Sequence, residues 1–437
     1  MAFNVQVISV ETIKPSSPTP KHLSSHKLCR LDRMSPPFYG STVFFFTSTP
    51  ENSLDKVHDH LKSSLSIAMT QFYPLAGRLQ GGNNFSINCN DEGVSYISAL
   101  ASIGLPGLSN RQIQLTQLVK LLPSHLHGRS LDLADQLLLG VQVTSFSCGG
   151  VAIGVSIWHQ VADAATLVSF LKTWSEICGG QDGTNAVLTN SIVTDCSSIF
   201  PLSDKLEIFP NVVGTSLDDL STNRLLFDSS RIASLREKIG AGMEADQLPT
   251  RFEALAALIW GAAIATVNQE KLFLTPSGKF RYSMISVEMR KKVNPPLPQH
   301  CIGNIIYPAI EKWEINRPVD YPELARKVRH SIKIVDHEYV LNQPPDVNPF
   351  FDLVKDSAGN VSYFSSLCRF PFYEIDLGFG KPSWIHPFAA AKGTTVFVDA
   401  RDGDGIEALV TFSKQDMVKF EQDPGIIEYA KFSPTPC

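Results

Sequence analysis

The eight cysteines are scattered and include no Cys-x-x-Cys pair, which excludes a zinc ribbon and a disulfide framework. No apolar run approaches the ~20 residues of a membrane-spanning helix. The opening stretch MAFNVQVISVETIKPSS lacks the apolar core and small-residue cleavage site of a secretory signal, and its mixed charge fits a transit peptide poorly. The Ser-Pro-Thr-Pro-Cys ending is not a prenylation box. Charge is sparse, at 19% of residues with a net of -5, which argues against a chain built to grip nucleic acid or an anionic membrane. An anionic ligand would need a local cluster of Lys and Arg. No fixed-period repeat or low-complexity tract is present. These absences together point to a cytoplasmic globular protein with no metal site.

What is present is a large apolar fraction, 43% of 437 residues, enough for two domains with sizeable cores. The chain is organised around residues 149–180, GGVAIGVSIWHQVADAATLVSFLKTWSEICGG. Its first half is apolar and rich in β-branched residues, which suits a buried strand. Its second half sets Leu167, Phe170, Leu171, Trp174 and Cys178 at helical spacing, so one helix face is buried. His159 therefore stands at a strand end, and Asp163 stands in the first turn of a helix. A base needs a fixed position and an open side, and a strand end supplies both. The same spacing also suits a packed core histidine and a plain helix cap.

Elsewhere, strands are expected at residues 4–13, 41–47, 138–146, 224–227, 282–287 and 361–368, and residues 302–306 begin another. Residues 85–97 suggest a hairpin turning at Asn90-Asp91-Glu92-Gly93, and 393–412 a second around Asp402 to Gly405. Helices are expected at 53–71, 229–239, 252–267 behind a Thr250/Glu253 capping box, 414–422, and around 321–340. The last carries alternating charge and is expected to face solvent. Polar sequence from Gly179 to about Asn223 suits an interdomain crossover. The fold class is α/β in two comparable halves.

Several motifs recur in one order: YPLAGR at 73–78, His159…Asp163, VEMRKKVNPPLP at 287–298, IGN at 302–304, DLGFGKP at 376–382 and GIEALV at 405–410. Together they resemble the plant BAHD acyl-CoA-dependent acyltransferases over nearly the whole chain. SPTP at 17–20 and CRFPFYEID at 368–376 resemble the vinorine synthase and deacetylvindoline acetyltransferase branch, which acylates alkaloid and terpenoid alcohols. The resemblance implies two chloramphenicol-acetyltransferase-like domains, each a mixed sheet flanked by helices, with a channel between them. It places residues 1–205 in the first domain, 206–223 in a linker, and 224–374 with 402–437 in the second. A segment of about 375–401 would cross back to the first domain.

Acyl transfer to an alcohol needs removal of the hydroxyl proton as oxygen attacks a thioester. Histidine suits this, because its pKa of ~6.5 leaves it largely neutral near pH 7. His159 is therefore the candidate base, acting through a tetrahedral intermediate with no acyl-enzyme. The resemblance implies that Asp163 pairs with Arg290 rather than with His159, supporting the site structurally. It also makes Asp376, Gly378 and Gly380 an architectural turn, since DLGFG stands where the family carries DFGWG. Ser365 falls where relatives carry Thr/Ser-Ser-Trp, and is a candidate oxyanion donor. Leu367 replaces the aromatic of that triplet and Trp158 replaces a small serine, so both are candidates for shaping an apolar acceptor pocket. The expected substrates are acyl-CoA, most simply acetyl-CoA, and a hydroxyl of a terpenoid, alkaloid or naphthoquinone alcohol. N-acylation of an amine, or a non-catalytic family member acting as a partner protein, are the competing readings. The resemblance implies a monomer with no permanently bound cofactor.

Overall fold

A computed structural model describes residues 3–47, 54–81, 85–105, 112–123, 126, 136–180, 196–203, 205–206, 216–266, 279–298, 301–357 and 360–432. Much of the segment expected to cross over, including residues 207–215 of the 206–223 linker, lies outside these described residues.

Long apolar strands set up two mixed sheets. The first has six strands in the order Val5–Ile13, Val94–Ala101, Leu139–Phe146, Val151–Trp158, Tyr39–Phe46, Trp384–Phe388. Every residue of Leu139–Phe146 and Val151–Trp158 is buried, because both faces of the sheet are covered. Leu54–Gln71 and Ala164–Cys178 pack together over one face, and Trp174 Nε1 donates to Ser64 Oγ at 3.0 Å between them. The second sheet runs Ile306–Glu314, Phe280–Glu288, Val361–Ser366, Thr394–Asp399, Gly405–Ser413, Leu220–Asp228, Lys431–Phe432. Its covering helix, Arg251–Ala265, is buried from Glu253 to Ile264, so it is apolar all round. Thr250 and Glu253 form its capping box.

The two sheets are joined by a buried cation. Arg224, on a strand of the second sheet, pairs with Glu407 and donates from Nη1 to the Ile385 carbonyl at 2.8 Å, on the edge strand of the first.

Four sequence expectations need correction. Residues 85–97 are not a hairpin: Ser86–Asn88 belongs to a separate three-stranded sheet with Ser25–Lys27 and Arg78–Gln80, whereas Val94–Ala101 lies in the first sheet. The turn at Asp91 (φ 55°) and Gly93 (φ 94°) hands the chain from one sheet to the other. The helix expected over 321–340 is two, Tyr321–Ile334 and His337–Leu341, separated where Asp336 caps the second through the Tyr339 amide. The first of these buries Leu324, Ala325 and Val328, so only its opposite face is solvated. Residues 302–305 precede the strand Ile306–Glu314, with Gly303 at φ +134°, where L side chains are strained. Of the segment expected to cross back over 375–401, Trp384–Phe388 pairs with Tyr39–Phe46, but Thr394–Asp399 lies inside the second sheet.

Candidate active site

Strand pairing aims His159. The strand Val151–Trp158 delivers it to the sheet end, where its amide donates to the Phe38 carbonyl at 2.8 Å. The Phe38 ring packs edge-on against the imidazole at 5.1 Å. Two residues beyond the short turn His159–Val161, Asp163 caps the helix Ala164–Cys178, accepting from the Thr166 amide at 2.9 Å.

Asp163 turns away from the imidazole. Its Oδ2 accepts from Arg290 Nη1 at 2.7 Å and the Ile305 amide at 3.0 Å, and its Oδ1 accepts from Arg290 Nη2 at 3.0 Å. Both side chains are buried, in a bidentate pair that spans the two halves of the chain. Burial alone would raise the Asp163 pKa, but the Arg290 charge and these hydrogen bonds outweigh it and hold the carboxyl below its ordinary value. Burial likewise opposes the charge on Arg290, and Asp163 more than reverses it.

The partner of His159 comes from 145 residues away: Nδ1 lies 2.9 Å from Asn304 Oδ1. The orientation of that amide follows from its other end, which donates to the His159 carbonyl, an atom that can only accept. The atom facing the ring is therefore oxygen, and Nδ1 carries the proton. In the neutral ring this leaves the Nε2 lone pair free. Burial lowers the His159 pKa, which favours that neutral form. Asn304 is fixed in turn through its backbone N–H, which donates to Asp32 Oδ1 at 2.6 Å. Asp32 also accepts from the Cys29 amide, and burial pushes its carboxyl up to about 6. Asn304 and Asp32 were not singled out by the sequence. The IGN triplet was visible, but nothing local connects it to a histidine so distant in the chain.

A cavity of about 910 Å³ opens beside His159 and Asp163. One wall is the helix carrying Val168 and Lys172, and the other comes from the second sheet with Ser286, Glu288 and Ser365. The structure thus brings His159, Asp163 and Ser365 to one cavity, with Arg290 buried behind Asp163. Trp158 and Leu367 do not line it: both are buried in the first core, Trp158 edge-on to Tyr39 at 5.0 Å. Asp376 stands apart too, with its Oδ1 accepting from the Gly378 and Gly380 amides at 2.8 and 2.9 Å. Those glycines have φ of 90° and 76°, and Ser175 anchors the turn to the helix end. Among the described residues no group of three or more His, Cys, Asp or Glu is gathered for a metal.

The sequence profile of the Transferase family matches residues 3–426. This chain belongs to the BAHD acyltransferase family. A limonoid 1-O-acetyltransferase of Citrus sinensis is 36% identical over 98% of each chain. The crystal structure of vinorine synthase superposes with a TM-score of 0.80 at 28% identity, covering 95% of this chain and 96% of the other. The F. graminearum TRI101 structure complexed with coenzyme A and T-2 mycotoxin gives 0.71 at 14% identity, over 93% and 99%, and shares the fold. BAHD enzymes use acyl-CoA as co-substrate, so this chain is an acyltransferase of two sheet-rich domains. No helix among the described residues is long and apolar enough to cross a membrane.

Proposed function

We propose that this BAHD enzyme transfers the acetyl group of acetyl-CoA to a hydroxyl of a terpenoid of the limonoid kind, with His159 as general base. The observation that carries the mechanism is the Nδ1–H of His159 held by Asn304, which leaves Nε2 able to take a proton. The acceptor hydroxyl gives its proton to Nε2 as its oxygen attacks the thioester carbonyl carbon. The tetrahedral intermediate collapses as the carbon–sulfur bond breaks, and the imidazolium returns the proton to the departing thiolate. Ser365, which lines the same cavity, is the proposed donor to the oxyanion. Asp163 and Arg290 take no proton: their pair fixes where the strand end, the helix start and the Ile302–Asn304 turn meet.

The acceptor class rests on the limonoid 1-O- and 21-O-acetyltransferases, which at 36% identity share more of the sequence than vinorine synthase at 30%, whereas the limonoid 7-O-acetyltransferase, at 31%, does not stand apart from it. The test is an end-point assay of the purified full chain with acetyl-CoA and limonoid, alkaloid and naphthoquinone alcohols, beside matched amines. Ester formed fastest on the limonoid hydroxyl is expected. Amide formed faster than any ester, or a longer acyl-CoA used in preference to acetyl-CoA, would overturn the assignment.

A further inference from the structure

Cys196 and Cys301 stand 105 residues apart, yet their Sγ atoms approach to 3.2 Å. Both are free thiols buried in the second core, and neither takes part in the chemistry above. Cys196 opens the short turn Cys196–Ser198 in the segment between the two halves, next to Phe200, whose carbonyl accepts from the Arg30 amide at 3.0 Å. Cys301 begins the loop that leads to Asn304. Its carbonyl accepts from Arg290 Nη2 at 2.8 Å, and the next carbonyl but one, Gly303, accepts from the same nitrogen at 3.2 Å.

The two sulfurs are electrostatically unequal. Either thiol can donate across this contact; with Cys196 as the donor, and with the Arg290 charge beside it, Cys301 is held below its ordinary pKa against the effect of burial. The same contact, with burial, pushes Cys196 up. Cys301, beside the Arg290 guanidinium, is the sulfur better placed to react as thiolate, and Cys196 lies within reach to resolve the product; since both are buried, the oxidant reaches them only when the loop opens.

We propose that Cys196 and Cys301 are a modification site, a dithiol that a hydroperoxide converts to an intrachain disulfide. The Cys301 thiolate attacks a peroxide oxygen, the O–O bond breaks, and sulfenic acid and water form. The Cys196 sulfur then attacks the sulfenic sulfur; the S–O bond breaks and its oxygen leaves as water with the Cys196 proton. Two thiols and one hydrogen peroxide give one disulfide and two waters, the two sulfurs together losing the two electrons that reduce the peroxide. A disulfide holds its sulfurs about 2.05 Å apart, so closure draws the pair together by about 1.1 Å. Arg290 grips the same loop by two carbonyls, so the shift reaches Asn304 and through it the imidazole. A misplacement of about 1 Å at a reacting centre costs up to about 100-fold in rate.

The test treats the purified full chain with hydrogen peroxide, alkylates the remaining thiols and maps the peptides by mass, with acyl transfer assayed in parallel. Disulfide formation is read by mass alone, so it stands or falls separately from the mechanism proposed for His159. The expected result is a linked Cys196–Cys301 peptide, a fall in acyl transfer of about 10- to 100-fold, and recovery of both with dithiothreitol. Cys196→Ser and Cys196→Ala, checked for folding by thermal melt, should form no link and should instead carry Cys301 as sulfenic or higher acid in the mass map under the same peroxide. Absence of the linked peptide once the exposed Cys148 is fully oxidised would overturn the proposal. A link that forms while transfer is unchanged would overturn the coupling to the site.

Discussion

Asp163 closes one motif and Asp376 opens another, and each caps backbone amides, but in opposite surroundings. Asp163 is 5% exposed, accepts from two amides and also faces a guanidinium from the other half of the chain. Asp376 is exposed, and its Oδ1 accepts from the two glycine amides of its own turn. A carboxylate in water loses little when its cap is removed. A carboxylate out of water has no alternative to its partner. The difference lies in burial and countercharge, not in residue type, and it ranks what mutation should do at each place.

The largest loss is expected from Arg290→Ala, which strands the Asp163 charge and should cost about 3–5 kcal/mol in urea unfolding. The comparison sharpens with the double variant Asp163→Asn/Arg290→Met, which should recover part of that loss because no buried charge remains. Next comes Asn304→Ala. It removes the acceptor for Nδ1–H and should lower kcat about 10- to 100-fold, while stability falls by only about 1–2 kcal/mol. Asp376→Ala should cost about 1 kcal/mol, as for an ordinary cap, with kcat/KM unchanged within about twofold. A loss at Asp376 as large as that at Arg290 would break the distinction.

The smallest effect is in the pH profile. Neutral imidazole is the active form, and burial depresses the His159 pKa. Activity is therefore full at pH 7 and lost as pH falls through a value below the ordinary ~6.5. Half-loss of kcat/KM at or above that value would contradict the buried setting of the ring.

The strand-turn-helix carrying His159 and Asp163 was legible because both periods are local: eight buried residues of strand, then helical spacing from Leu167 to Cys178. Arg290 was reachable only through the family resemblance, since no local pattern says which distant cation meets Asp163. Asn304 was missed because Ile302 to Ile306 looks like the start of a strand, whereas Gly303 at φ +134° bends the loop so that Asn304 meets the ring. The false hairpin at 85–97 has a related cause. The sequence shows a turn, but not that its two arms join different sheets. The sequence offers Trp158 as a pocket residue by its bulk and Leu367 by its apolar character, and both pack in the first core. Bulk beside a functional residue says nothing about which way the ring points.

The most direct test of the central claim is single-turnover kinetics of His159→Gln beside the wild-type chain, with unfolding followed in parallel. Among the described residues the ring makes one side-chain hydrogen bond, to Asn304, so the variant should unfold close to the wild type. The predicted result is a fall of about 10²- to 10⁴-fold in acyl transfer with the unfolding midpoint nearly unmoved. Turnover within about tenfold of wild type would place the base elsewhere.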